Sequence, residues 1–79
     1  MTMDDRLRQT IGGVLGVPAA EISDASSPDT IAAWDSLNHL NIVMALESEF
    51  DVSLTPEDAL GMRTVELMRT ILRRNGVDL

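Results

Sequence analysis

The sequence predicts an all-α fold, a small four-helix bundle with a long loop between the first and second helices and a short third helix. Two observations carry this prediction. Apolar residues recur at helical rather than alternating spacing, and no stretch offers a competing strand pattern. Capping residues stand at the head of each such run, with glycine, proline or asparagine near the end of the first, third and fourth. The chain has 79 residues, 44% of them hydrophobic, and a mean hydropathy near zero. It therefore reads as one globular domain spanning 1–79, with a small core, because a chain of this length buries only about 60% of the surface its unfolded form exposes.

The elements follow in order. Thr2 is followed three residues later by Asp5, a capping-box-like start. Met3, Leu7, Ile11 and Leu15 then share one helical face until Gly16 and Pro18 stop the run, giving a helix over residues 3–15. The connection GVPAAEISDASSPDTIAAW is rich in Ser, Asp, Ala and Pro, with one short helical turn expected around Ala19 to Ile22. Ordered connections this long tend to be functional or to wrap the core. Asp35 suits the N-cap of a second helix from Ser36 to Phe50, with Glu47, Glu49 and Asp51 towards its end. Thr55-Pro56-Glu57-Asp58 reads as N-cap, N1 proline and acidic first turn of a short third helix that Gly61 terminates. Thr64 caps a fourth helix to about Arg74, with Val65, Met68, Ile71 and Leu72 facing inward. Arg69, Arg73 and Arg74 suit its negative C-terminal end, and Asn75-Gly76 stops it.

Composition removes several classes of function. With no cysteine, disulfides, thiolate metal sites and thiol nucleophiles are excluded, and nothing argues for an oxidising compartment. A single histidine and scattered acids make no metal shell. Thirteen acids against six bases, all arginine, give a net charge of −7 and a pI near 4.3. Such a surface repels phosphate backbones and anionic lipids, so neither nucleic acid nor membrane is an expected partner, and proteins with basic patches are. Met1 to Leu15 mixes charged and apolar residues and is neither a signal peptide nor a span, which makes the cytoplasm the default location. Capped elements fill residues 2–76 with no linker at either end, so a stand-alone protein is expected; a monomer is expected as well.

On a helical wheel the second helix carries two apolar groups. Ile42, Val43, Leu46 and Phe50, with His39 near them, form the core side. Leu37, Leu40 and Met44 fall on another side, close to Ser36 and Glu47, with Asp35, Asn41 and Ser48 around them. Burial on more than one side would account for this. So would an exposed apolar strip with a polar rim, which is the form of a docking surface.

Ser36 stands where that strip begins, and three roles are open to it. As a hydrolase nucleophile it would use His39 on the adjacent turn, but the Gly-x-Ser-x-Gly turn is absent and the core-edge direction of His39 disfavours the pair. As a cap it is redundant with Asp35. As an attachment point it is exposed at a helix start, where a phosphodiester meets free N–H groups and the positive end of the dipole.

Asp35-Ser36-Leu37, followed by LNIVMALESEFDVSLTPED, resembles the acyl carrier proteins almost end to end: first helix, long loop, motif at the head of helix two, short third helix, threonine-led last helix. The resemblance implies a covalent 4′-phosphopantetheine arm on Ser36, with Asp35 as part of the recognition motif. Acyl or related groups would be held as thioesters on the arm's thiol, by a protein that is not itself an enzyme. It further implies that Leu37, Leu40, Asn41, Met44 and Glu47 belong to the partner-docking face. The partners implied are a phosphopantetheinyl transferase and acyl-loading and acyl-processing enzymes with basic patches.

Carriers of fatty-acid synthase type commonly have acids where this chain has Asn38, Asn41 and Ser48. Trp34 and Asn38-His39-Leu40 look more like carriers of specialised pathways for polyketides, nonribosomal peptides or surface lipids. A fatty-acid synthase carrier and a non-acylated helical interaction module are the alternatives. An acyl chain sheltered between helices two and four, near Ile42, Leu46, Met68 and Ile71, is a further expectation, set against ordinary packing by the same residues.

Overall fold

The computed structural model describes residues 2–79. Among the described residues there are four α-helices and no strand: α1 (Met3–Leu15), α2 (Ser36–Phe50), α3 (Pro56–Gly61) and α4 (Val65–Arg74). One turn of 3-10 helix, Ala19–Glu21, interrupts the long loop. The helix starts are set by local side-chain chemistry. Thr2 with Asp5 and Thr55 with Asp58 form reciprocal capping boxes, while Asp35 and Thr64 each accept one N–H from the first turn they cap.

The ends of α1, α2 and α4 are set by left-handed residues. Gly76 has φ 93°, and Val77 and Gly76 return N–H groups to the carbonyls of Leu72 and Arg73, closing α4 in a Schellman turn that buries Val77. Gly16 closes α1 in the same region at φ 73°. Helix α2 instead ends on Asp51 at φ 51°, a residue whose Cβ makes that conformation costly.

The core joins all four helices and the loop. Leu7, Ile11 and Leu15 of α1 meet Ile42, Val43 and Leu46 of α2, and Val65, Met68, Ile71 and Leu72 of α4 close the other side. Phe50 is only half-buried, at the core's margin, with the Arg6 guanidinium 5.2 Å from its ring centre. The loop is part of this core, since Ile22 and Trp34 are each 2% exposed. Its carbonyls at Ser26 and Asp24 accept the N–H groups of Val65 and Glu66, which α4 itself leaves without partners.

Arg69 does not act on the end of its own helix, as its position in the sequence implied. Its side chain donates to Asp4 on α1 and to Asp24 in the loop, tying three separate segments together. That contact lowers the pKa of Asp24. Backbone and hydroxyl donors of Thr2 lower Asp5, and those of Thr55, with Asn75, lower Asp58. A carboxylate whose folded-state pKa is depressed contributes stability in full above its unfolded value, about 3.9 for aspartate, and loses it as pH falls through the lower folded-state value. The thermal midpoint, followed by circular dichroism, should therefore drop as pH is lowered from about 4 to 2, and Asp24→Asn should flatten that drop.

Two adjacent glycines in α1 have opposite standing. A Cβ on Gly12 would lie 2.6 Å from the Val17 carbonyl oxygen, so the loop can fold back only over a residue with no side chain. A Cβ on Gly13 would meet nothing within 4 Å. Urea denaturation should show Gly12→Ala destabilised by about 1–3 kcal/mol. Gly13→Ala should be stabilised by roughly 0.4–1 kcal/mol, because the helix there gains propensity without a clash.

Candidate functional site

The candidate site lies where the loop enters α2. Asp35 is the N-cap, its Oδ1 accepting the Asn38 N–H at 2.8 Å, and Ser36 is the first helical residue. The cap uses the aspartate and leaves the serine out of it. Ser36 is exposed, and among the described residues its hydroxyl has no hydrogen-bond partner. The turn before it is held from the helix side: Asn38 Nδ2 donates to the Ala33 carbonyl at 2.7 Å, and Asn41 Nδ2 donates to Asn38 Oδ1 at 3.2 Å. The two asparagines thus fix the approach to Ser36 with neutral amides.

His39 is committed elsewhere. The Trp34 indole N–H donates to its Nδ1 at 3.0 Å, and its Nε2 lies 2.7 Å from the Ala59 carbonyl oxygen. An indole nitrogen only donates, so Nδ1 is the acceptor and the proton sits on Nε2, from which it is donated to Ala59. The imidazole is a bridge from loop to α2 to α3, the Trp34 ring lying nearly parallel to it at 16° with the centroids 6.2 Å apart. Both nitrogens are occupied, so His39 offers Ser36 no general base, and a serine hydrolase has no footing here.

The two apolar groups of α2 separate as the wheel indicated. Ile42 and Leu46 are fully buried, whereas Leu37 is 68%, Leu40 56% and Met44 57% exposed. Asn41 and Glu47 are half-buried at the edge of the strip. Glu47 also has an internal task, accepting the Leu54 N–H at 2.8 Å through one carboxylate oxygen and so fixing the segment between α2 and α3. Asp35 and Ser48 are exposed beside it.

Two residues that sequence reasoning passed over complete the surface. Leu60, in the short α3, is 73% exposed. An open hollow of roughly 590 Å³ lies between α2 and α3, lined by Trp34, Ser36, His39 and Leu40 with Leu60 and Arg63 facing them, and predominantly apolar. Six residues of helix are too few to establish a face by period, so the sequence held no clear sign of Leu60. Arg63 sits between two helices, where no pattern applies.

The residues expected to shelter an acyl chain lie away from this hollow. Ile42, Leu46 and Met68 are each 0% exposed and packed in the core, with Ile71 beside them. Among the described residues no group of three or more His, Cys, Asp or Glu side chains is placed to hold a metal ion, and no helix is long and apolar enough to cross a membrane. The arrangement therefore presents one unencumbered hydroxyl at a helix start, an apolar hollow opening beside it, and an apolar strip running away from it along α2. A family model described as the phosphopantetheine attachment site matches residues 5–72, which takes in most of α1, the loop, the candidate site with α2, α3 and most of α4.

Proposed function

The chain belongs to the phosphopantetheine-attachment family of carrier proteins, and on that premise we propose that Ser36 is the residue that bears the arm. Domains of this family carry a covalent 4′-phosphopantetheine, work with a phosphopantetheinyl transferase and acyl-processing enzymes, and are not themselves catalytic. When bound, the arm supplies the thiol on which acyl groups ride as thioesters, a group this cysteine-free chain does not have. The observation that carries the assignment is the exposed Ser36 hydroxyl, free of internal hydrogen bonds at the first position of α2. The residues fit the group: Asp35 fixes the helix start, and the Ser36 oxygen, losing its proton, would displace adenosine 3′,5′-bisphosphate from the pyrophosphate of coenzyme A and become the ester oxygen of a phosphodiester, a change that breaks no hydrogen bond of the described fold.

Leu37, Leu40 and Met44, with Asn41 and Glu47 at the edge, are the face that partner enzymes read in this proposal. Their exposure at the arm's root supports it. An acidic chain steers towards basic patches by long-range attraction and releases quickly, which suits a shuttle. Asn38 and Asn41, neutral where carriers of fatty-acid synthase type commonly have acids, support by resemblance a carrier for a specialised pathway making polyketide, nonribosomal peptide or surface lipid.

The test is intact mass after incubation with coenzyme A and broad-specificity transferases. The mass should rise by roughly 340 Da, the formula of the added group, and fragmentation should place it on Ser36. A chain left unmodified by several such transferases would overturn the proposal. Leu40→Asp or Met44→Asp should lower kcat/KM for loading about 10–100-fold, the range for losing an apolar anchor, with the thermal midpoint unchanged.

A further inference from the structure

We propose that Arg63 pairs with the phosphodiester of the arm and lays the arm along the hollow between α2 and α3. The inference rests on attachment at Ser36 as proposed above, and concerns what this chain does with the arm once it is there.

Of the six arginines, five are committed within the fold. Arg6 bonds Glu49, Arg8 bonds Asp5, Arg69 bonds Asp4 and Asp24, Arg74 reaches Asp58, and Arg73 donates to the Leu79 carbonyl. Arg63 is exposed, and among the described residues its guanidinium has no acid or carbonyl partner. In a chain with thirteen acids, an arginine without one is not short of candidates. It lines the same hollow as Ser36.

Charge explains why a cation belongs there. A phosphodiester on Ser36 would be anionic, next to the Asp35 carboxylate, on a molecule already at −7. Like charges so close oppose one another, and a guanidinium in the same hollow offsets that repulsion. Its planar fork also matches phosphate oxygens, so Arg63 fixes a direction as well as a charge. From there the walls are apolar, with Trp34, Leu40 and Leu60 suited to the branched aliphatic middle of the arm. Ile42, Leu46 and Met68, by contrast, are fully buried in the core.

Nuclear magnetic resonance on the full chain before and after loading tests this. In the loaded wild type, the arm's geminal methyls should show Overhauser contacts to Leu40 and Leu60, and the Arg63 Nε–H and Trp34 indole signals should shift. Arg63→Gln should take the arm to completion by mass and keep its thermal midpoint. It should also weaken those contacts about two- to fivefold, the range for an exposed charge pair. Arg63→Lys should restore part of them, and raising salt from about 0.05 to 0.5 M should weaken them in the wild type. A loaded chain without the contacts, or with contacts indifferent to Arg63→Gln, overturns this inference alone. A chain that takes no arm overturns the attachment proposal and this one with it.

Discussion

Ser36→Ala is expected to abolish the roughly 340 Da gain on loading completely while leaving stability within about 0.5 kcal/mol of wild type, the usual range for a surface substitution. Both halves follow from the same geometry. The serine hydroxyl is exposed and without an internal partner, so its removal orphans nothing. Alanine is the better helix former at an interior or first-turn position, which offsets any small loss. The chemistry is lost because an ester needs an oxygen at that position, and no neighbouring hydroxyl replaces it: the nearest in sequence are Thr30 and Ser48.

Asp35→Ala is the informative contrast. It removes the acceptor for the Asn38 N–H and should cost about 1 kcal/mol, the ordinary value of an N-cap. It should slow loading without eliminating it, because the hydroxyl remains. If instead Ser36→Ala were the destabilising change and Asp35→Ala the neutral one, as urea denaturation would show, the serine would be the cap and the assignment of roles would reverse. Intact mass and denaturation on the same two variants therefore separate tether from cap.

Most of the backbone was legible because its punctuation is local. Thr2 with Asp5, Asp35, Thr55 with Asp58 and Thr64 act within one turn of where they stand, and each helix begins beside its cap. The division of α2 into buried and exposed apolar sides was legible for a similar reason: fifteen residues are enough for the helical period to sort Ile42 and Leu46 from Leu37, Leu40 and Met44. What sequence reasoning missed depends on distance or on aperiodic chain. Arg69 reads as complementing its own helix end until the fold brings it to Asp4 and Asp24, respectively 65 and 45 residues away. Leu60 and Arg63 line the hollow only because α3 is set against the head of α2 by the His39 to Ala59 bond. Asp51 gives no warning that it will adopt a left-handed conformation. Trp34 was legible only as a family-like signature before the motif, and its place in the core came from the fold.

That place makes Trp34→Ala the substitution with the largest expected effect on stability. The indole is among the largest fully buried side chains, in a loop that has few other anchors than Ile22. Truncating a buried tryptophan costs about 3–5 kcal/mol, against a total of roughly 4–12 kcal/mol for a chain of this size. The thermal midpoint should fall by at least about 12 °C, since each kcal/mol corresponds to some 4–8 °C in a domain of this length. The loss reaches the site by a definite route. Without the indole N–H, Nδ1 of His39 has no donor, the imidazole is released to either tautomer, and the bond that holds α3 at Ala59 weakens. Trp34→Phe isolates this second part: it keeps most of the apolar volume, should cost nearer 1–3 kcal/mol for the unsatisfied polar group, and should still change the imidazole. Long-range nitrogen spectra of the wild type should show the proton on Nε2, with Trp34→Phe moving towards a mixture. A loss below about 1 kcal/mol in Trp34→Ala would mean that the loop is held without its tryptophan, and that the hollow beside Ser36 does not depend on the wall that Trp34 gives it.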